Sequence, residues 1–416
     1  MEIIDLKFFL SIIYSYNISL FSFGGTVKQI ILKSGKDKRV RNGHLWIYQG
    51  EIGIIGIDVK AGDIVEVLDN RGRFIGMGYY NSASQMAVRI LSREREPIDA
   101  SFFRRRIIQA IEYRKRVKPN ATCYRLIFGE GDLLPGLIVD RFEDFLVVQF
   151  LTMGMEVNRE IIINLLIELC NPRGIIERSD TSVRHLEELP ERAGCIYGEA
   201  PSTLTITDNG LKFQVDLLEG QKTGYFLDQS ANRAALSNYC QGKTVLDCFC
   251  HIGSFAIHAA SYGAKSVLGI DISQEAVNLA TENATINNLS NNCSFKTANA
   301  FDFLREQVAQ KAEYDLIILD PPAFTKSKQT VDRAVRGYKE INLRALKMLP
   351  AGGILVTCSC SHHMNSELFW EIINTAAVDA KRQIRLLERR TQSLDHPILV
   401  GVPETEYLKC LIFEVF

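Results

Sequence analysis

Two cysteines lie two residues apart in segment 357–363, which follows an apolar run and reads Thr-Cys-Ser-Cys-Ser-His-His. A cysteine thiolate is a strong nucleophile, and it is the side chain best suited to add to carbon 6 of a pyrimidine, which activates carbon 5. Alternation along an extended segment does not choose between Cys358 and Cys360. The competing interpretation is a small apolar side chain at the end of a buried strand.

Acidic residues end two earlier apolar runs, at Asp247 and Asp271. Gly253 follows the first run at the start of a predicted helix, where a glycine lets a ligand approach the backbone. Asp271 could accept hydrogen bonds from both hydroxyls of a ribose. The G-x-G-x-x-G pattern of dinucleotide sites is absent, because segment 248–254 reads Cys-Phe-Cys-His-Ile-Gly-Ser. The combination resembles the S-adenosylmethionine site of class I methyltransferases, although each acid alone is also typical of a turn or helix cap.

A third candidate segment, residues 320–324, reads Asp-Pro-Pro-Ala-Phe after another apolar run. Two prolines stiffen the backbone and hold the acid and the aromatic ring at the rim of a sheet. In methyltransferases this position holds the target base, so we expect a substrate site; a plain structural turn is the alternative. The residues expected to form it are Asp320, Pro321, Pro322 and Phe324.

A metal site is a rival interpretation of the same cysteines and histidines. Their C-x-C spacing without a C-x-x-C pair is a poor zinc pattern, so we expect no metal. The residues concerned are Cys248, Cys250, His251, Cys358, Cys360, His362 and His363.

The elements that must position these residues are predicted after residue 241. Strand-like runs alternate with helical patterns there, which predicts an α/β domain with a doubly wound, Rossmann-like parallel sheet whose ligands bind beyond the carboxyl ends of the strands. The runs are 244–247, 266–271, 314–320 and 353–357, and the clearest helices are 274–287 and 332–348.

The length of 416 residues predicts two or three domains. Short β-prone runs with a hairpin at 64–68 and 74–78 predict a small β-rich barrel, and later segments predict a basic helix and an α+β unit. We divide the chain into an N-terminal extension outside the fold (1–26), the barrel (27–98), a basic linker helix (99–123), a central α+β domain (124–218) and the α/β domain (219–416).

The net charge is −1, yet basic residues cluster within 28–50 and 101–118. Such clusters are either solvated surface or nucleic-acid contacts, and two of them before a catalytic domain favour nucleic acid. Ten cysteines without a disulfide pattern favour a cytoplasmic location. The apolar stretch 8–23 lacks a basic flank and is too short to span a membrane, so we expect no membrane association. The basic residues expected to bind RNA are Arg39, Arg41, Arg104 and Arg105.

From about residue 27 to residue 416 the chain closely resembles the RlmI-type family of 23S ribosomal RNA cytosine-5 methyltransferases. Segment 35–48 resembles the start of that family's RNA-binding PUA domain, and segment 124–141 resembles the opening of its central domain. The most distinctive match is segment 222–229, Lys-Thr-Gly-Tyr-Phe-Leu-Asp-Gln.

The resemblance implies an S-adenosylmethionine-dependent enzyme that forms 5-methylcytosine in large-subunit ribosomal RNA. It implies that Cys360 is the nucleophile, that Asp320 holds the base and borders the cofactor, and that Phe226 binds the cofactor. Asn299 stands where the family has an adenine-facing acid. A homodimer is left open. Further departures from the family pattern are His251, Ser254 and Ala323.

Two other functions stay open at this point. An exocyclic amino methyltransferase of RNA would use Asp320 and Phe324 without needing Cys360. An inactive RNA-binding protein would keep the basic clusters and transfer no methyl group.

Overall fold

The computed structural model describes residues 28–220, 223–324, 330–361 and 363–416. The predicted extension over 1–26, Lys222 of the family segment and His362 of the rival metal set lie outside these ranges. None of the described helices is long and apolar enough to cross a membrane.

The described part of the N-terminal domain contains β1 (Gln29–Leu32), α1 (Lys38–Arg41), β2 (Trp46–Ile47), a 3-10 turn (Gln49–Glu51), β3 (Ile52–Ile55), β4 (Ile64–Leu68), β5 (Phe74–Tyr80) and β6 (Val88–Ser92). The strand order is β2-β6-β5-β4-β1-β3. The predicted hairpin is confirmed, since β4 and β5 pair antiparallel with Ile64 opposite Tyr79. Inward side chains such as Val67 and Ile90 form a separate core with Val40 of α1.

The linker helix and the central domain comprise α2 (Ala100–Val117), β7 (Cys123–Phe128), β8 (Leu137–Phe142), β9 (Phe145–Phe150), α3 (Met153–Val157), α4 (Arg159–Cys170), β10 (Gly174–Ser179) and β11 (Arg192–Gly198). Asp99 begins α2 by accepting hydrogen bonds from the N–H groups of Ser101 and Phe102. One face of α2, with Phe103 and Ile107, is buried in the core of the central sheet. Arg104 and Arg105 reach solvent, whereas Arg114 is buried and forms an ion pair with Asp132.

A hairpin of β12 (Leu204–Asp208) and β13 (Leu211–Val215) follows the central sheet. Asn209 and Gly210 have φ angles of 49° and 84°, the conformation that a tight two-residue hairpin turn requires. This hairpin forms a sheet of its own, and its buried Ile206 and Phe213 belong to a core that reaches from the central sheet to the C-terminal sheet.

The C-terminal domain has these helices and strands: α5 (Ser230–Ala235), β14 (Thr244–Cys248), α6 (Ser254–Ser261), β15 (Ser266–Asp271), α7 (Gln274–Ile286), β16 (Cys293–Thr297), α8 (Ala300–Ala309), β17 (Leu316–Leu319), α9 (Val331–Met348), β18 (Ile354–Ser359), α10 (Ser366–Ala380), β19 (Ile384–Arg390) and β20 (Lys409–Val415). The sheet order is β16-β15-β14-β17-β18-β20-β19, with β20 antiparallel to both of its neighbours. This arrangement confirms the predicted α/β fold class.

The central strands of this sheet are buried on both faces. Val245 and Ile318 point into one core, whereas Leu246 and Ile317 point into the other, which explains the continuous apolar runs in the sequence. The strand order reverses between β14 and β17, and a crevice forms at such a switch point beyond the carboxyl ends of the strands.

Candidate active site

A cavity of about 690 Å³ lies at the carboxyl ends of β14, β15, β17 and β18. This volume falls within the range of small-molecule and cofactor sites. The cavity brings together residues that the sequence places far apart. The predicted site residues that line it are Phe226, Asp271, Asn299, Asp320, Pro321, Pro322, Phe324 and Cys360.

Two other predicted cofactor residues lie behind the cavity lining. Asp247 is 1% exposed, and its Oδ2 accepts a hydrogen bond of 3.0 Å from the N–H of Ala256 in α6. Gly253 has a φ of 81°, and a Cβ at this position would lie 2.8 Å from the Phe295 ring. Both residues therefore shape the loop between β14 and α6 without lining the cavity.

Asp271 ends β15 and holds two backbone segments at the cavity. Its Oδ2 accepts from the N–H of His251 at 2.9 Å, and its Oδ1 accepts from the N–H of Ser273 at 3.0 Å. Each carboxylate oxygen keeps a lone pair that could accept from a ribose hydroxyl. The neighbouring Ile272 is 71% exposed and also lines the cavity. Acceptors for hydroxyls next to an apolar surface suit the ribose and the adenine of S-adenosylmethionine.

Asn299 caps α8 with its side chain. Its Oδ1 accepts from the N–H of Phe301 at 2.9 Å and from that of Asp302 at 3.4 Å. The acceptor atom of the amide is therefore engaged, and its NH₂ group is what Asn299 could offer to a ring nitrogen of adenine. An acid here would offer an acceptor instead.

A directed chain of hydrogen bonds holds Asp320. The Nε of Arg390 donates to Asn232 Oδ1 at 3.0 Å, Asn232 Nδ2 donates to Gln229 Oε1 at 2.6 Å, and Gln229 Nε2 donates to Asp320 Oδ1 at 3.0 Å. An arginine can only donate, so it fixes the orientation of both amides and presents an N–H group to the carboxylate.

Aromatic rings position Phe324 and the end of β18. The Phe324 ring lies 4.7 Å from that of Tyr338 and 5.8 Å from that of Phe301. The hydroxyl of Tyr338 is hydrogen-bonded to Ser359 at 3.0 Å and to Ser361 at 3.1 Å. These bonds hold the residues on either side of the candidate nucleophile.

The two candidate cysteines lie in different surroundings. Cys358 is fully buried opposite Cys410 of β20, and a hydrogen bond to Cys410 together with burial raises its pKa well above the ordinary value. Cys360 follows the last residue of β18, is half-buried and lines the cavity. Of the two, Cys360 is therefore the thiol that a molecule in the cavity can meet.

The predicted RNA-binding arginines lie outside the cavity and form ion pairs with carboxylates. The pairs of Arg104 and Arg105 lie at the surface, where an ion pair contributes little to stability, so RNA phosphates could replace their carboxylates. The pairs of Arg39 and Arg41 are partly buried, and the side chain of Asp69 is 1% exposed. The pairs are Arg39–Glu51, Arg41–Asp37, Arg41–Asp69, Arg104–Glu168 and Arg105–Glu96. Within the described ranges, no three His, Cys, Asp or Glu side chains are arranged to hold a metal ion.

Three residues around the cavity, Gln229, Asn232 and Lys409, were not among the site residues predicted from the sequence. Gln229 closes the family segment 222–229, so its place in that motif was an available signal. Lys409 begins the apolar run Lys-Cys-Leu-Ile-Phe, where a lysine is unusual in a strand that is otherwise buried. Asn232 gave no comparable signal.

Two family models match the chain. A PUA-like domain matches residues 30–93, and an S-adenosylmethionine-dependent methyltransferase matches residues 180–414. The second model covers more than half of the chain and overlaps every strand of the C-terminal sheet. These findings define an S-adenosylmethionine-dependent methyltransferase.

Curated relatives narrow the class further. Ribosomal RNA large subunit methyltransferase I of Tolumonas auensis is 41% identical over 389 residues, which cover 92% of this chain and 98% of the relative. The protein of the same name from Aeromonas salmonicida is 42% identical over 388 residues, with the same coverage of 92% and 98%. The chain belongs to the ribosomal RNA large subunit methyltransferase I family, and the predicted membership is confirmed.

Solved structures share the whole fold. An S-adenosylmethionine-dependent methyltransferase from Streptococcus mutans has a TM-score of 0.80 at 22% identity, covering 93% of this chain and 99% of that one. A methyltransferase complexed with SAH has a TM-score of 0.81 at 22% identity, with the same coverage of 93% and 99%. The likeness therefore extends from the N-terminal domain through the C-terminal sheet.

The protonation state of the buried Asp247 carboxyl can be tested through its effect on stability. Burial and the nearby charge of Asp320 raise its pKa well above the ordinary value, so folding favours the protonated form. The protonated carboxyl of Asp247 therefore contributes its full share of the free energy of unfolding below the pKa that it has in the unfolded chain. This share is lost as the pH rises above that value. Asp247→Asn should unfold at a higher temperature than the unliganded wild type at pH 8. The difference in the free energy of unfolding between the variant and the wild type should shrink towards pH 5, by up to about 1.4 kcal/mol per pH unit.

The matched control is Asp302→Asn, because the Asp302 side chain is 72% exposed. Its thermal midpoint should follow that of the wild type at both pH values. If the stability difference between Asp247→Asn and the wild type is the same at pH 5 and at pH 8, the buried carboxyl is not neutral in the folded protein, and the assignment is wrong.

Proposed function

We propose that this chain methylates carbon 5 of a cytosine in large-subunit ribosomal RNA. The observation that carries the proposal is the meeting of Cys360 and Asp320 in one cavity with Asp271, beyond the ends of neighbouring strands. The names of the curated relatives support ribosomal RNA as the substrate class. The choice of carbon 5 rests on the chemistry of the thiol.

Cys360 begins the reaction as a thiolate that adds to carbon 6 of the base. Asp320, oriented by Gln229, meets the N3 edge, where a proton shared with the ring compensates the negative charge that the addition creates. When bound, S-adenosylmethionine supplies the electrophilic methyl group that carbon 5 accepts. A base then removes the carbon 5 proton, and the thiolate of Cys360 leaves carbon 6.

The target base must leave its stack to enter the cavity. Unstacking is cheapest in single-stranded or loop RNA, which we propose as the local substrate. Pro321, Pro322 and Phe324 would border the base. The PUA-like domain, with Arg39 and Arg41, and the α2 residues Arg104 and Arg105 would hold the flanking RNA through its phosphates.

The identity of the methylated nucleoside tests the proposal. The chain is incubated with unmodified 23S ribosomal RNA and methyl-labelled S-adenosylmethionine, and the RNA is digested and analysed by mass spectrometry. We expect labelled 5-methylcytidine, and a loss of several orders of magnitude in rate for Cys360→Ala, because the covalent route is removed.

Cys195→Ala is the matched control, because Cys195 is exposed in β11 and does not line the cavity. It should leave the rate unchanged. Labelled N4-methylcytidine, formed equally well by Cys360→Ala, would instead establish exocyclic amino methylation. Absence of any labelled nucleoside would favour an inactive RNA-binding protein.

The proposed ribose contact of Asp271 has a separate test. Asp271→Ala should weaken binding of S-adenosylmethionine by about 1.5 to 3 kcal/mol, roughly 10- to 150-fold, because hydrogen bonds to a charged acceptor are lost. Calorimetry measures the affinity. Glu282→Ala, at an exposed position of α7, should bind like the wild type. Wild-type affinity in a folded Asp271→Ala variant would place the ribose elsewhere.

A further inference from the structure

A buried lysine lies beneath the turn that carries Cys360. Lys409 is the first residue of β20 and pairs with Ser359, the last residue of β18. It is 7% exposed, and its Nζ donates to the carbonyl oxygen of Ser361 at 2.9 Å and to that of Tyr407 at 2.7 Å. The ammonium is therefore bonded to the backbone of the residue that directly follows the candidate nucleophile.

Among the residues that the structure describes, no carboxylate is bonded to Lys409. Its two bonded partners are neutral carbonyl groups, and burying a cation among neutral groups is costly unless a negative charge lies nearby. Burial lowers the pKa of Lys409 to about 8, whereas negative charge on Cys360 and on Glu406 raises it. Cys360 is the larger of these two opposing influences.

The charged and titratable groups around this pair come from several elements, and they do not all favour a thiolate. Asp320 lies in the same cavity as Cys360 and opposes a second negative charge, and burial raises the pKa of Tyr338 to about 12, which keeps its hydroxyl neutral. Lys409 supplies a cation that is bonded to the backbone of this turn. Among the described residues, other charged or titratable groups that line the cavities of Cys360 and Lys409 include Asp228, Arg233, His251, Asp271, Arg389, Arg390 and Glu406.

We infer that Lys409 is a positioning residue that holds a positive charge beside Cys360 and so favours its thiolate. The inference rests on the proposed function, because it concerns the nucleophile of that reaction. The thiol proton leaves to solvent, Lys409 keeps its three protons, and no other bond changes. The same ammonium stabilises the thiolate when it is released from carbon 6.

The reactivity of individual thiols tests the inference. The full chain is alkylated with iodoacetamide between pH 5 and pH 10, and mass spectrometry follows the peptides that contain Cys360 and Cys195. An opposite charge close by lowers a thiol pKa by about 1 to 3 units. In the wild type the Cys360 midpoint should lie at least one pH unit below that of the exposed Cys195.

Lys409→Met should raise the Cys360 midpoint by about 1 to 3 pH units, and Lys409→Arg should keep it low because the charge is retained. The Cys195 midpoint should not move in either variant. In methylation assays, Lys409→Met should lower kcat while the KM for RNA stays near the wild-type value. A lysine with a merely structural role would not move the thiol profile.

An unchanged Cys360 midpoint in folded Lys409→Met would overturn the inference. If that variant does not fold, a wild-type Cys360 midpoint at or above that of Cys195 overturns it equally. These failures are distinct from failure of the proposed function, because the wild type would still form 5-methylcytidine. If the wild type forms no 5-methylcytidine, the proposed function fails and the inference falls with it.

Discussion

The site depends on the register of the parallel strands, which brings the carboxyl ends of neighbouring strands to the same edge of the sheet. Cys248 of β14 lies opposite Leu319 of β17, and Leu319 lies opposite Thr357 of β18. Residues that follow these strands therefore reach the same edge of the sheet, although up to about a hundred residues separate them in sequence. Asp271, the turn at 320–324 and Cys360 meet in the cavity because the sheet keeps this register.

The loop between β19 and β20 connects this edge to the other domains. The backbone N–H of Arg125 in the central domain donates to Asp395 at 2.8 Å, and His44 of the N-terminal domain lies 3.2 Å from Glu404. The same loop returns to the cavity, where the hydroxyl of Tyr407 donates to Asp228 at 2.6 Å. The PUA-like domain is thereby joined to the backbone that leads into β20.

Local sequence patterns predicted those site residues that directly follow a single predicted strand. Asp271 and Asp320 each follow an apolar run, and both line the cavity. The chain from Arg390 to Asp320 could not be predicted, because Arg390 and Asn232 are 158 residues apart and amides carry no periodic signal. Burial is also a tertiary property, so the sequence could not show that Asp247 lies behind the lining or that Cys358 faces Cys410.

Covalent trapping tests the central claim, that Cys360 attacks carbon 6, most directly. RNA that carries 5-fluorocytosine at the target position leaves no proton at carbon 5 to remove, so the enzyme stays attached to the base after methyl transfer. We predict a trapped complex in which the RNA is attached to the peptide at Cys360. The Cys358→Ala variant should still form this complex, and the Cys360→Ala variant should not. RNA attached to Cys358 would contradict the choice of nucleophile, and methylation without a trapped complex would contradict the covalent mechanism.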